Sequence, residues 1–340
     1  METAAFGVRG DRPRSGQPSI AAWPTRLQTG LSGARLPATM RKAILSLSRI
    51  FIAPLVVIAL AASPLIVTGG EAGLSIQFRP AFEALALWFR GLSDGSSFRY
   101  LIGKTEWNLV QSTPRYFFVS LLYLLLPGSL GLSLGTALGL ALVRAKSRLI
   151  GSALNFIFAI PEFIMALMLQ LLALYVLDLT GIKLASISYD GRGHYLLLLP
   201  FALMTFYPFA YSFRLASRKA IDAADADYTA YARSKGLSER TIRLRHIGAA
   251  VLPSMRAELP TILAIMQANL FLCEFIFSLP GITRLLFTSA FPGRLPGWLE
   301  GYQYPLAVWV LLGVLALYSL AWLFYSLALS LTRRGLTGES

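Results

Sequence analysis

The sequence predicts an all-α polytopic membrane protein with six transmembrane helices and a cytoplasmic two-helix loop. Its 340 residues are 55% apolar and 14% charged, whereas about a quarter of the residues in a soluble domain are charged. The apolar residues form six runs with few charges, each near the length of about 20 residues that a helix needs to cross about 30 Å of hydrocarbon. These observations exclude an ordinary soluble enzyme.

The six runs define the predicted spans and divide the chain. They cover residues 50–68, 117–143, 149–177, 195–213, 259–277 and 305–331. Residues 1–49 are rich in Arg, Pro, Gly and Ser, a composition that predicts a disordered, basic N-terminus. We expect an extracytoplasmic loop at 69–116, a core of five spans at 117–331 and a cytoplasmic tail at 332–340.

The basic residues indicate the orientation. With the N-terminus inside, 22 of the 31 lysines and arginines fall in cytoplasmic segments, as the positive-inside rule requires. The net charge of +14 is therefore a topology signal and no argument for a nucleic-acid partner. Both termini are expected in the cytoplasm, and the lipid bilayer is the environment of the spans.

The second span carries glycines that favour close helix packing. Gly128 is followed by Gly131, Gly135 and Gly139, and these last three lie at four-residue steps on one helical face. Small residues let helices approach closely in lipid, where packing holds helices together. The stripe predicts either a contact inside this bundle or a contact with a separate membrane subunit.

The outer loop contains one pattern typical of a helix. Large apolar side chains recur there at helical spacing: Phe82, Leu85, Phe89 and Leu92, with Trp88 among them. The pattern predicts a helix that lies either beneath a substrate-delivery protein or on the membrane surface.

Residue types that carry enzyme chemistry are sparse. The only phosphate-loop candidate, residues 103–105, has Phe98 where that loop requires glycine. Cys273 is the one cysteine, and His194 and His246 are far apart in the chain. We therefore predict no catalytic residue, no metal site and no cofactor.

The cytoplasmic loop at 214–258 looks like folded structure. From Ile221 to Lys235, apolar residues recur at helical spacing: Ile221, Ala224, Tyr228 and Tyr231. Aspartates lie in the first half of this predicted helix and basic residues lie in its last turn, an arrangement that complements the helix dipole. Gly236 is expected to end this helix as its C′ residue, and Ser238 to cap a second one.

The second helix is expected to end at Pro253. It presents Leu244, Ile247 and Val251 on one side. Two short amphipathic helices joined at a glycine favour a docking surface over a solvated loop.

This loop resembles that of a known family. The segment from Asp227 to Arg240, with Ala-Arg-Ser-Lys-Gly at 232–236, resembles the "EAA" loop of binding-protein-dependent ABC transporter permeases of the dipeptide, oligopeptide and nickel group. Glu-Phe-Ile-Phe-Ser-Leu-Pro-Gly at 274–281, Ile-Pro-Glu-Phe at 160–163 and Tyr-Pro at 304–305 are similar to further motifs of that family. The chain departs from it where Ala-Tyr-Ala stands at the Glu-Ala-Ala positions and where Glu162 replaces a serine.

The resemblance implies a bacterial inner-membrane permease of type I importer fold that works with separate partners. These are ABC ATPase subunits, a second permease subunit of a different sequence and an extracytoplasmic solute-binding protein. The residues implied in coupling to an ATPase are Tyr228, Ala232, Arg233, Ser234, Lys235, Gly236 and Leu237.

Two carboxylates fall inside the predicted spans. A charge in hydrocarbon costs about 2.5 to 3.5 kcal/mol on insertion scales, so it usually faces a cavity or a partner. Glu162 follows Pro161, and it is expected either to line a pathway or to bond a polar residue such as Gln170, Gln267 or Asn269. Glu274 is expected either at an outer gate, together with Ser278, Pro280 and Gly281, or in a hydrogen bond to the following turn.

Other functions remain as alternatives. A secondary transporter or channel needs no ATPase-docking loop, and a membrane-embedded enzyme needs a nucleophile and base or a metal at depth. The function expected from the resemblance is import of a small solute. Peptides are favoured, and nickel chelates or another small solute are the alternatives.

Overall fold

The computed structural model describes residues 52–70, 73–142, 160–182, 189, 197–291 and 301–337, which are mostly helical. The helices are α1 (Ile52–Leu65), α2 (Arg79–Asp94), α3 (Leu109–Ala141), α4 (Glu162–Thr180), α5 (Leu198–Ala224), α6 (Asp227–Ser234), α7 (Glu239–Ile276), α8 (Ile282–Leu285) and α9 (Tyr304–Thr337). The strands are β1 (Val67–Gly70), β2 (Gly73–Ile76), β3 (Arg99–Ile102) and β4 (Thr105–Asn108). The predicted N-terminal region, residues 1–49, lies outside the described residues.

Four of the described helices, α3, α4, α7 and α9, are long and apolar enough to cross a membrane. They correspond to the second, third, fifth and sixth predicted spans, although residues 149–159 of the third lie outside the described part. The first predicted span contains the shorter apolar helix α1. The fourth lies in α5, which continues past residue 213 and carries Arg214, Arg218 and Lys219 in its second half.

The expectation of an all-α chain is wrong between α1 and α3. Two antiparallel hairpins form there, β1 with β2 and β3 with β4. Their strands are four residues long, too short for a clear alternation of apolar and polar residues. The phosphate-loop candidate is the second hairpin's turn, where Gly103 has a φ of 62°.

The helix predicted around Phe82 to Leu92 is confirmed as α2, and it packs on the N-terminal part of α9. Trp88 is buried on α2, with its ring centroid 6.0 Å from that of Trp309. The Trp309 indole N–H donates to the Ser97 carbonyl at 2.9 Å, and its ring stacks on Phe98 at 4.9 Å. Packing against protein therefore covers one face of α2, while Phe82 on the other face is exposed.

The glycine stripe of α3 packs inside the chain against α5. A Cβ at Gly131 would lie 2.5 Å from the Thr205 carbonyl oxygen, and one at Gly139 would lie 2.8 Å from the Cβ of Ala216. At Gly135 an added Cβ would overlap the Phe209 carbonyl oxygen and the Ser212 hydroxyl. The first of the two alternatives, an internal bundle contact, is confirmed.

Helix α7 continues through two prolines. Pro253 and Pro260 both lie inside it, so the expectation that a short helix ends at Pro253 is wrong. A proline within a helix costs about 3 kcal/mol because it lacks the N–H and crowds the preceding turn. Val251 and Met255 are buried on either side of Pro253, and packing of this kind offsets the cost.

Candidate functional site

The candidate site begins with the short segment that joins α5 to α7. The predicted loop at 214–258 is mostly part of these two helices, and the segment itself is Asp225–Ser238. The continuous helix expected from Ile221 to Lys235 is broken, because α5 ends at Ala224 and α6 begins at Asp227. Asp225 is the C-cap of α5, and Ala226 has an extended conformation with φ −76° and ψ 147°.

A buried threonine holds α6 against the end of α5. The Thr229 hydroxyl donates to the Ala223 carbonyl at 2.7 Å, one of the carbonyls that a helix end leaves without a helical partner. Thr229 is fully buried and Ala232, one turn later, is 3% exposed. The two residues form the inner face of α6.

Gly236 and Ser238 make the tight connection to α7. Gly236 has a φ of 74°, a conformation that glycine adopts without steric cost, and its N–H donates to the Arg233 carbonyl at 2.9 Å. The Ser238 hydroxyl accepts from the Thr241 N–H at 3.2 Å. The predicted C′ glycine and N-cap serine are both confirmed.

The outer face of α6 is aromatic and exposed. Ala224 is buried, whereas Tyr228 and Tyr231 are 45% and 62% exposed, so the expectation that these residues share one helical face is wrong. The break at Asp225 and Ala226 resets the helical phase and turns Thr229 inward instead. Leu237 is also exposed, and these three side chains form what we call the α6 surface.

Charged groups border the α6 surface. Arg233 Nε lies 2.9 Å from a Glu239 carboxylate oxygen. The Lys235 ammonium lies 4.5 Å from the centroid of the Tyr231 ring, a cation–π geometry. Ser234 donates to the Tyr231 carbonyl at 2.8 Å, so its hydroxyl is satisfied within the helix.

A π-helical stretch, Ile242–Gly248, changes the phase of α7 near its start. Ile242, Ile247 and Val251 are buried, whereas Leu244 is 43% exposed. The expectation that Leu244 shares a face with Ile247 and Val251 is therefore wrong, because a π-helix has more residues per turn than an α-helix.

The second part of the candidate site surrounds Glu274, which is 1% exposed. One carboxylate oxygen accepts from the Ser120 hydroxyl at 2.5 Å. The other accepts from the Thr283 N–H at 2.8 Å, the Thr283 hydroxyl at 2.5 Å and the Arg284 N–H at 3.2 Å. The bonds from Thr283 and Arg284 are the hydrogen bonds to the following turn that the sequence offered as one of two alternatives. A role for Glu274 in a pathway or gate stays a prediction.

Ser120 extends this network to α3. Its hydroxyl oxygen also accepts from the Ile282 N–H at 2.8 Å. The side chains of Glu274 and Ser120 therefore connect α7, α3 and the start of α8. We call these groups, with Thr283, the Glu274 network.

The turn at 277–281 fits closely around the carboxylate. A Cβ at Gly281 would overlap the Glu274 carboxylate, so glycine allows the close approach. Ser278 has a φ of 54°, and its carbonyl accepts a hydrogen bond from the Arg284 guanidinium. Pro280 is half-buried in the same turn.

Glu162 lies apart from this network. It is half-buried in the first turn of α4, directly after the N-cap residue Pro161, where a negative charge complements the helix dipole. Two of the partners expected for it bond elsewhere: the Gln267 amide donates to Val314 at 2.9 Å and the Asn269 amide to Ile265 at 3.1 Å. Its role in a pathway stays a prediction.

Three residues of the candidate site carried no prediction from the sequence. Thr229, Ser120 and Thr283 are fully buried and bond across elements. Ser120 could have been recognised from the sequence, because a polar residue inside an apolar run indicates a buried hydrogen bond. Among the described residues, no group of histidine, cysteine or carboxylate side chains has the arrangement of a metal site.

Comparison with known proteins agrees with this architecture. The family described as "Binding-protein-dependent transport system inner membrane component" matches residues 130–334, which is more than half of the chain and holds both parts of the candidate site except Ser120. The dipeptide transport system permease protein DppB of Lactococcus lactis subsp. cremoris is 28% identical over 159 residues. A Brucella abortus protein, named provisionally as a peptide transport system permease protein, is 30% identical over 100 residues.

The matches to these relatives are partial. They cover 45% and 29% of this chain, and 50% and 32% of the respective relatives, so the chain spans half or less of the length of the relatives it matches. The family match covers the helices α4 to α8, most of α9 and the C-terminal part of α3. The chain therefore belongs to the family of binding-protein-dependent transport system inner membrane components.

Proposed function

We propose that the chain is the membrane permease subunit of an ATP-binding-cassette importer and that it helps to form the pathway for a small solute. A peptide is the favoured solute, because the relatives are named for dipeptide and peptide transport. The observation that carries the proposal is the exposed α6 surface, which lies on a short helix fixed between two long ones.

The α6 surface suits a groove on an ATPase subunit. Tyr228, Tyr231 and Leu237 offer apolar contact area, and Lys235 adds a positive charge at its edge. Thr229 ties α6 to α5, and the turn at Gly236 and Ser238 ties it to α7. A displacement of α6 by ATP-driven closure of the ATPase pair would thus move both long helices as levers.

The same mechanism needs further partners. A second permease subunit would complete the pathway, and α4 is the helix best suited to meet it, since Ala166 and Ala173 are its buried residues. An extracytoplasmic solute-binding protein would deliver the solute to the outer side, where α2 and the two hairpins lie. ATP hydrolysis would take place on the ATPase subunits.

The proposed pathway runs through six spans with both termini in the cytoplasm of a bacterial inner membrane. Glu162 at the start of α4 would line the pathway. The turn with Ser278, Pro280 and Gly281, held by Glu274, would form part of an outer gate. Residues 69–116 would form the outer segment, and residues 332–340 the cytoplasmic tail.

The decisive experiment compares two substitutions at Gly236. Proline fixes φ near about −65° and lacks an N–H, so Gly236→Pro is incompatible with the φ of 74° and removes the bond to the Arg233 carbonyl. We expect uptake of labelled dipeptide and transport-linked ATP hydrolysis to be lost while the protein stays in the membrane. Both are measured in cells and in the complex purified through a tag on the full chain.

Gly236→Asn is the matched control. Asparagine tolerates positive φ better than most residues, and no atom lies within 4 Å of an added Cβ at Gly236, so coupling should persist. Unchanged coupling in Gly236→Pro would contradict the docking role. A purified complex without any ATPase would contradict the importer assignment and favour a secondary transporter or channel.

A further inference from the structure

A basic pocket lies where the first half of α7 meets the end of α9. Its volume is about 230 Å³. Three arginines line it, Arg256 from α7 and Arg333 and Arg334 from α9, together with Leu252, Pro253, Leu329 and Ser330. The α6 surface and the Glu274 network do not contribute to it.

The polar chemistry of the pocket is that of an anion site. Among the residues that the structure describes, no carboxylate lines the pocket. The carboxylate of Glu258, two residues after Arg256, accepts a hydrogen bond from the Tyr211 hydroxyl at 2.8 Å. The Ser330 hydroxyl donates to the Leu327 carbonyl at 2.8 Å, and the three guanidinium groups are the charged groups that line the pocket. Guanidinium groups bind phosphate with paired, charge-assisted hydrogen bonds.

The position of the pocket indicates where the phosphate comes from. Along α9, large apolar side chains that are 41% to 64% exposed continue to the edge of the pocket: Leu320, Trp322, Leu323, Phe324, Leu327 and Leu331. Arg333 and Arg334 follow within one helical turn. This change from apolar to basic surface is typical of the level at which hydrocarbon ends and headgroups begin.

We propose that this pocket binds the phosphate of an anionic phospholipid in the cytoplasmic leaflet. The three arginines hold the phosphate, and the acyl chains lie along the exposed apolar side chains of α9. The bound headgroup joins α7 to α9 at the cytoplasmic side. The site is independent of the solute and of the ATPase.

The test uses the full chain, purified in a non-ionic detergent, and phosphatidylglycerol with a fluorescent label on one acyl chain. Fluorescence anisotropy gives its dissociation constant. Because each basic residue near an anionic surface contributes about 1 kcal/mol, we expect Arg333→Gln with Arg334→Gln to weaken binding by about thirtyfold. We expect Arg256→Gln alone to weaken it by about fivefold.

Two further double variants separate the site from general charge and from misfolding. Arg240→Gln with Arg245→Gln removes two exposed cytoplasmic charges outside the pocket and should leave the dissociation constant unchanged. Arg333→Lys with Arg334→Lys should bind within about threefold of the natural chain, because lysine still binds phosphate as a point charge. Equal losses in the two glutamine pairs would overturn the proposal.

Competition identifies the ligand. Unlabelled phosphatidylglycerol should displace the probe, whereas phosphatidylcholine and inorganic phosphate should not. Equal displacement by phosphatidylcholine would overturn the proposal. Full displacement by inorganic phosphate would overturn the assignment to a lipid and identify a soluble phosphate as the ligand.

Discussion

Four hydrogen-bond donors surround the buried carboxylate of Glu274: two hydroxyls and two backbone N–H groups. An isolated carboxylate in an apolar interior is costly, and hydrogen bonds to the charged form reduce that cost. The Arg284 guanidinium donates to the Ser278 carbonyl in the adjacent turn. At the scale of single residues, Glu274 therefore acts as a joint between three elements.

The first prediction at this scale concerns Gly281. Gly281→Ala would press a methyl group onto the Glu274 carboxylate. Overpacking of this kind destabilises by about 1 to 3 kcal/mol, so we expect a lower midpoint of thermal unfolding in detergent. Gly335→Ala is the control, because no atom lies within 4 Å of an added Cβ there. An equal midpoint for the two variants would show that the space between Gly281 and the Glu274 carboxylate can accept a methyl group.

At the scale of elements, the contact of α3 with α5 shows how small residues determine helix distance. Gly131, Gly135 and Gly139 of α3 each face backbone atoms of α5, together with short side chains. Backbone cannot move aside without shifting the whole helix. The distance between these two helices is therefore set by the absence of side chains on α3.

The prediction for this contact compares two neighbouring positions. Gly135→Val would force α5 away, at a cost above the usual range for overpacking of about 1 to 3 kcal/mol. Leu134 is 50% exposed, so Leu134→Val should be tolerated. Size-exclusion chromatography of the detergent extract should show loss of the monodisperse peak for Gly135→Val alone. A normal peak for that variant would contradict the packing argument.

At the scale of the whole molecule, the outer segment and the cytoplasmic segment lie on opposite sides of the membrane in the proposed orientation. In that orientation the turn of the second hairpin, with Lys104, would be outside, and the start of α7, with Arg240, would be inside. The chain has one cysteine, Cys273, which is fully buried. Introduced cysteines can therefore report the orientation without a background signal.

The corresponding prediction uses a maleimide that cannot cross membranes. Lys104→Cys should be labelled in spheroplasts, whereas Arg240→Cys should be labelled after permeabilisation. The natural chain should stay unlabelled in both conditions. Labelling of Arg240→Cys in intact spheroplasts would reverse the proposed orientation.

Local signals in the sequence predicted much of the cytoplasmic segment. Gly236 and Ser238 were recognised because helix ends require particular residue types. The sequence did not predict correctly which residues share a helix face, because the break at Ala226 and the π-helical stretch from Ile242 shift the helical phase. Backbone irregularities of this kind arise from packing against other elements, which a periodic pattern does not contain.

The Glu274 network shows the same limit. The sequence identified Glu274 and its turn as a unit, and it left the role of the carboxylate open between a gate and a hydrogen bond. Ser120 lies 154 residues earlier in the chain, and no short-range pattern links such distant positions.

From the sequence one can predict the apolar helices, an orientation, the family resemblance and the residue types at the ends of α6. These depend on composition and on neighbours along the chain. Tertiary structure alone decided which face of α6 is exposed, which helix the glycines meet, what surrounds Glu274 and that three arginines from two helices share one pocket. These depend on atoms brought together from distant positions, because side-chain packing and hydrogen bonds act through space.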